Sequence, residues 1–249
     1  MSIKDEEEKL GKHYSENNSV EFEVSARTAL FAEPITSAGG EKSTYEIPTY
    51  EAMKGVLKSI YWKPTFTWFV DKLRVMNPIK METRGVKLPK LNGRGNDLAY
   101  YTYLMDVRYQ VTAHLEWNMN RPEYEQDRNQ NKHYHVFAKS LLRGGRMNVF
   151  LGKHECIADV KPCSFGEGKG VFDQTGTIEY GYMYHGINYP DEGYSEESRT
   201  HLLLDISEVT MENGIIVFKR PEECLYKPIR KGMIKIFDQK GKDDINASA

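Results

Sequence analysis

Apolar and polar residues alternate along two stretches of the chain as in a strand with one wet face. Val20, Phe22, Val24 and Ala26 alternate with Glu21, Glu23, Ser25 and Arg27. Val107, Tyr109, Val111, Ala113, Leu115 and Trp117 alternate with Asp106, Arg108, Gln110, Thr112, His114 and Glu116. Between them lie a loop from Glu33 to Ser43, marked by Pro34 and Gly39-Gly40, and then a change of period. Ala52, Met53, Val56, Leu57 and Ile60 form one stripe at helical spacing, with Thr49 placed to cap the start and Pro64 to end it. Phe66 to Met76, rich in β-branched and aromatic residues, predicts a strand closed by Asn77-Pro78. Met81 to Asp97 is basic, contains glycine and shows no period, so it is expected to be irregular.

A second helix is expected over Lys132–Arg143, with His133, Val136, Phe137, Ser140 and Leu141 on one face and Gly144-Gly145 as its stop. Phe150 to Val160 predicts another strand. The order is then β-α-β-β-α-β, the ferredoxin-like arrangement, over residues 19–162. RNA-recognition modules use it because it presents an open sheet. From about Cys163 the chain reads as strands and turns: Ile178–Tyr189, His201–Ile206 and Ile215–Phe218, with Asn213-Gly214 as a hairpin turn. The predicted class is α+β: a ferredoxin-like N-terminal domain plus a small antiparallel β domain over residues 163–237.

Charge changes the picture at the ends. Residues 1–18 hold five acids and three lysines, and the stretch from Asp238 holds three acids and two lysines. Both read as solvated, flexible ends, an acidic extension over 1–18 and a tail over 238–249. The whole chain carries −2, yet the body between the ends carries about +1. No apolar run approaches the ~20 residues a membrane helix needs. The charged start lacks the apolar core of a signal peptide, and three unpaired cysteines suit a reducing compartment. The expectation is a cytoplasmic protein without membrane contact.

The positive charge is concentrated. Arg128 to His154 holds Arg128, Lys132, Lys139, Arg143, Arg146 and Lys153 without one acid. Such a stretch supplies sequence-independent contacts to phosphate, or else forms a basic solvated helix face. The Arg143-Gly-Gly-Arg146 turn suits the first reading, because glycines let a phosphate approach the backbone. Lys132-His133 sits at a helix start, where a histidine can move a proton and a lysine can steady negative charge. His133 is equally suited to be a packed residue of the apolar face. Tyr61, at the end of the first helix, is either an orienting phenol or a core aromatic; with a reference pKa of ~10 it makes a poor base. His154, Cys156, Cys163 and His185 match no compact zinc spacing. No phosphate-binding glycine loop, dinucleotide fingerprint or serine elbow occurs, and no carboxylate cluster suggests two-metal chemistry. No cofactor is expected.

Several ordered motifs together resemble one family. They are Gly39-Gly-Glu-Lys-Ser-Thr-Tyr45, Pro48-Thr-Tyr-Glu-Ala52, Ser59-Ile-Tyr-Trp-Lys-Pro64, Asp127-Arg-Asn129, Asn131-Lys-His-Tyr134, Arg143-Gly-Gly-Arg146 and Phe150-Leu-Gly152. Tyr184-His-Gly186, Tyr189-Pro-Asp191, Met211-Glu-Asn-Gly214 and Arg220-Pro-Glu-Glu-Cys224 complete the set. Over about residues 19–226 the chain resembles the CRISPR-associated "Cas five" proteins of subtype I-C, members of the RAMP superfamily. The resemblance implies a metal-independent endoribonuclease that cuts CRISPR precursor RNA within the repeat. It further implies a protein that stays on the 5′ handle of the guide RNA (crRNA) as a subunit of the Cascade complex, beside backbone and large subunits and, through them, target DNA. It places the catalytic trio at Tyr61, Lys132 and His133, and RNA contacts are expected at Lys42, Tyr45, Arg128, Lys139, Arg143, Arg146 and Lys153. The implied reaction is attack of a 2′-hydroxyl on its own phosphorus, giving a 2′,3′-cyclic phosphate. Two departures stand out: the acidic residues 1–18 lie outside the family pattern, and His154 stands where an arginine is expected. The competing readings are a binding-only subunit of the same complex and, more remotely, a zinc hydrolase.

Overall fold

The computed structural model describes residues 3–90 and 93–233. In chain order the elements are α1 (Ile3–Asn17), β1 (Val20–Ala29), α2 (Pro34–Ser37), α3 (Tyr50–Ile60), β2 (Phe66–Val75), β3 (Met81–Pro89), β4 (Asn96–Trp117), α4 (Gln130–Leu141), β5 (Val149–Phe150), β6 (Ile157–Pro162), β7 (Thr177–Asn188), α5 (Glu196–Thr200), β8 (His201–Glu212), β9 (Ile215–Val217) and β10 (Leu225–Lys231). The fold is mixed α/β and dominated by antiparallel sheet. All named pairings are antiparallel, in the order β10-β8-β9-β2-β4-β1-β6-β5, with β3 added to β4 and β7 to β8.

The centre of the sheet follows from the alternation. Val20, Phe22 and Val24 of β1 pair with Ala113, Val111 and Tyr109 of β4, and Leu73 of β2 pairs with Val111. These side chains are buried with Met53, Leu57 and Ile60 of α3 and Phe137 and Leu141 of α4. Thr49 caps α3 by accepting the Ala52 N–H at 3.3 Å, as its position predicts. Asn213 and Gly214 both take positive φ, 47° and 81°, and turn β8 into β9.

Three segments differ from expectation. Residues 3–17 of the acidic extension form helix α1 instead of a flexible end, and α1 lies along α4. Its approach is close, since a Cβ on Gly11 would meet the His135 Cα at 2.8 Å. Tyr14 is 1% exposed in the core, and its hydroxyl donates to the Glu21 carbonyl at 2.6 Å. Second, Met81–Pro89 is a regular strand, β3. Its side chains lie mostly in solvent, so no alternation marked it. Third, β4 runs well beyond the predicted start, and Asp106 at φ 50° is a break in its middle, which is why the clean alternation begins there.

The segment read as a separate β domain over 163–237 continues the same sheet, because β9 pairs with β2 through Leu73 and Ile216. The 238–249 tail lies outside the described residues. Among the described residues no helix is long and apolar enough to cross a membrane.

Because Tyr14 fills the α1–α4 seam, Tyr14→Ala is expected to destabilise the protein by ~3–5 kcal/mol, as large buried aromatics do. Urea denaturation measures it, and a loss below ~1 kcal/mol would mean that α1 is only loosely held.

Candidate functional site

The ends of two helices meet at one cluster. Tyr61 is the residue that ends α3, and its N–H bonds the Leu57 carbonyl. His133 lies in the first turn of α4, whose start is fixed by Asn129 accepting the Lys132 N–H at 3.0 Å. The glycine turn after α4 brings Arg146 to the same place. Gly144 and Gly145 take φ of 81° and 106°, and Arg146 and Met147 then bond the Ser59 carbonyl at the end of α3.

The Tyr61 hydroxyl and His133 Nδ1 are 2.8 Å apart. His133 Nε2 is 2.7 Å from the Asp127 backbone carbonyl. A carbonyl can only accept, so Nε2 carries the proton and Nδ1 accepts from the Tyr61 phenol. Burial lowers the His133 pKa, which keeps the ring neutral. Burial pushes the Tyr61 phenol up to about 12, against the pull of Arg146. Phe66, Trp117 and Tyr61 surround the imidazole, with ring centres 5.0, 5.8 and 5.9 Å away. The Arg146 guanidinium covers the Tyr61 ring at 4.5 Å. Tyr61 is 1% exposed and His133 is 0% exposed.

Asp127 is the counter-charge. Its carboxylate binds the Lys132 ammonium, Lys63 Nζ at 3.1 Å and Thr65 Oγ1 at 2.8 Å. Burial opposes its ionisation, but the hydrogen bonds from Lys132, Thr65 and Lys63 outweigh this and hold its pKa well below the usual carboxylate range. The sequence pointed to Lys132 and passed over Asp127, Lys63 and Thr65. Asp127 and Lys63 stand inside the motifs Asp127-Arg-Asn129 and Ser59–Pro64, where no role was read for them, and Thr65 directly follows the second.

The remaining candidates divide. Arg128 turns inward, and its guanidinium donates to the Asn118 and Arg121 carbonyls at 3.2 and 3.4 Å. Arg143 is exposed and lies 3.8 Å from Glu7 of α1. Lys139 is exposed on α4. So the stretch without acids is partly neutralised from outside it, by Asp127 and Glu7. Lys42, Tyr45 and Lys153 are not brought to this cluster. Lys42 lies 5.3 Å from the Tyr101 ring centre, and the Lys42 ammonium, together with burial, lowers the Lys153 pKa. Burial raises the Tyr45 phenol, whose hydroxyl meets the Tyr184 backbone. Lys153 and Tyr184 border a cavity with Thr49 and Ala52, at the opposite end of α3 from Tyr61. At 1.5 Å rise per residue, about 16 Å of helix separates the two groups.

Cys156 is buried against the Thr28 hydroxyl, and His185 is buried against Tyr50, so these candidate zinc ligands are occupied elsewhere. Among the described residues no group of three or more His, Cys, Asp or Glu side chains is placed to hold a metal ion.

Fold and site together define a mixed α/β protein on an antiparallel sheet, with a buried phenol–imidazole pair under three cations. The family described as "CRISPR-associated protein (Cas_Cas5)" matches residues 19–219, and the chain belongs to it. A curated relative, "CRISPR pre-crRNA endoribonuclease Cas5d" of Mannheimia succiniciproducens, is 28% identical over 149 residues, 51% of this chain. The match spans 64% of that relative's length. A solved structure described as "Crystal Structure of CRISPR-associated Protein" is 32% identical, with a TM-score of 0.70 over 84% of this chain and 96% of that one. A functionally uncharacterized protein, SMU1763c from Streptococcus mutans, is 34% identical, with a TM-score of 0.69 over the same shares.

The sign of the Asp127 contribution follows from its lowered pKa. Its stabilisation is fully present above the unfolded value and is lost as pH falls below that value toward the lower folded one. Asp127→Asn is therefore expected to destabilise by ~1–3 kcal/mol at neutral pH, with the gap to wild type closing below about pH 4. Denaturation at a series of pH values reads this, and a gap that stays constant with pH would remove the charge from the account.

Proposed function

We propose that this protein is a metal-independent endoribonuclease. It cuts CRISPR precursor RNA within the repeat and stays on the 5′ handle of the crRNA as a subunit of a type I-C Cascade complex. Its partners in this reading are the repeat RNA, the backbone and large subunits, and target DNA through the complex. The name of the curated relative supports RNA processing. The ferredoxin-like assignment is supported by the central order β2-β4-β1-β6, with α3 and α4 as the two crossovers.

The observation that carries the reading is the 2.8 Å contact between Tyr61 and His133. A neutral imidazole with its Nδ1 on a phenol is ready to take a proton through it. A 2′-hydroxyl donating to the Tyr61 oxygen passes its proton there as the phenol proton moves to Nδ1. The 2′-oxygen then attacks the adjacent phosphorus, the bond to the 5′-oxygen breaks, and the departing 5′-oxygen takes up a proton, returned from the His133 imidazolium through Tyr61 or a water, to leave as the 5′-hydroxyl. Tyr61, with its pKa near 12, orients and relays, and His133 is the proton acceptor. Lys132 supplies positive charge to the transition state. The phosphate takes over the Lys132 ammonium from Asp127, and Arg143 and Arg146 hold the flanking backbone.

One observation favours the alternative, a non-catalytic subunit that binds the crRNA 5′ handle. The Tyr61–His133 pair is sealed, at 1% and 0% exposure.

Incubation with the protein's own repeat RNA in excess chelator separates the two. Cleavage to a 2′,3′-cyclic phosphate and a 5′-hydroxyl is expected, and intact RNA would leave the binding-only reading. His133→Ala and Tyr61→Phe are expected to bind the repeat and to cut it ~10²–10⁴-fold more slowly. Cutting at the wild-type rate by either would take that residue out of the mechanism.

A further inference from the structure

Beside the Tyr61–His133 pair lies a cavity of about 210 Å³ that the proposed reaction does not use. Phe69, Trp117 and Asn118 line it from the sheet, and Asn188, Glu192 and Tyr194 from the chain around the end of β7. Trp117 is a wall common to cavity and site, since its ring also stands 5.8 Å from the His133 ring. Asn118 bonds the Thr65 carbonyl through its N–H at 2.9 Å, and Thr65 holds Asp127. What enters the cavity therefore sits one residue layer from the reacting groups.

Three features define the occupant. Charge comes first. Lys54 and Lys58 bind Glu192, and Arg220 binds Glu116 at 2.7 and 3.1 Å and also Glu222. With Arg199, whose guanidinium donates to the Gly193 carbonyl, the lining holds three cations (Lys54, Arg199 and Arg220) against three acids (Glu116, Glu192 and Glu222), so the cavity suits a neutral group better than a phosphate. Second, polar atoms are left over. Asn188 is 6% exposed, and neither its Oδ1 nor the Tyr194 hydroxyl has a partner. Buried polar atoms without partners are costly, and a ligand edge with a donor and an acceptor satisfies both once the side chains that close them off turn aside. Third, size and surface. The volume lies below the ~300 Å³ at which drug-sized pockets begin, and Trp117 and Phe69 supply aromatic surface. One planar heterocycle fits this description, while a whole nucleotide does not.

We infer that the cavity receives a single unpaired base of the substrate RNA, splayed out of the strand next to the phosphate that is cut. Proteins commonly read RNA through bases unstacked onto aromatic side chains and hydrogen-bonded at their edges. The inference rests on the RNA reading above and adds to it a positional determinant. Seating that base in the cavity fixes which phosphate faces Tyr61.

The test is a double-mutant cycle between protein and RNA. Repeat RNAs carry one abasic nucleotide at each position in turn, with a 2′-deoxy substitution at the cleaved position so that binding is read without turnover. Wild type, Asn188→Ala and Tyr194→Phe are titrated with each RNA. In wild type one abasic position is expected to weaken binding ~10-fold, the scale of one stacked base. In the variants that same position is expected to weaken binding less than ~3-fold further, because the contact is already gone. Tyr194→Phe keeps the ring and so keeps the experiment decisive if Asn188→Ala fails to fold. The inference is overturned if no abasic position stands out in wild type. It is equally overturned if the position that does weakens binding by the same factor in both variants. Non-additive binding together with uncut wild-type repeat RNA would sink the nuclease reading and leave the base site standing. Cleavage with additive losses would do the reverse.

Discussion

The carboxylate of Asp127 is the point on which the site depends. Its oxygens hold Lys63 and Thr65, which follow α3, and Lys132, in the first turn of α4. Its backbone carbonyl sets the His133 tautomer. Remove the carboxylate and two ammonium groups face each other across a half-buried space. Remove the carbonyl contact and the imidazole loses the bond that leaves Nδ1 free to accept. Local sequence arranges this economically. Asn129 caps α4 two residues later, so one short segment starts the helix, neutralises the cations and orients the ring.

Much of this was legible before the structure. Alternation located β1 and the second half of β4, although Glu23, Gln110 and Thr112 of their polar rows are buried as well, and β-branched and aromatic composition located β2, which is buried at most positions. The stripe from Ala52 to Ile60 and the Thr49 cap located α3. The motifs put Tyr61, Lys132 and His133 forward together, and the structure places Tyr61 and His133 2.8 Å apart. What failed to show is equally physical. β3 is mostly exposed, so its pattern holds no contrast. α1 looked like a solvated end because its acids dominate. Its anchoring residues Gly11, Tyr14 and Ser15 are too few and too mixed in character to register as an apolar stripe. Charge counting also misjudged the basic stretch. It counted Arg128 as a phosphate ligand, while the fold spends that side chain on the Asn118 and Arg121 carbonyls. Partners distant in sequence, such as Glu7 for Arg143, leave no trace in a local window.

The burial of the Tyr61–His133 pair has a mechanistic meaning in the proposed reaction. A phenol and an imidazole in water would each exchange hydrogen bonds with solvent and hold no fixed relation. Enclosed by Phe66, Trp117 and Arg146, they keep one geometry and one tautomer. The same enclosure lowers the His133 pKa, so the ring is an acceptor at neutral pH instead of being already protonated. Phe66 and Trp117 pack around the imidazole, and the exposed groups beside the pair are charged. Arg146 is exposed and rests on the Tyr61 ring, and Lys132 is half-exposed on Asp127. In the proposed reaction two neighbouring RNA phosphodiester linkages, with one negative charge each, compete directly for both cations. Exchanging a carboxylate and a ring face for phosphate oxygens requires no core rearrangement. The substrate's own charge is thus the group suited to uncover the pair, and a neutral molecule of the same size has no such means of entry.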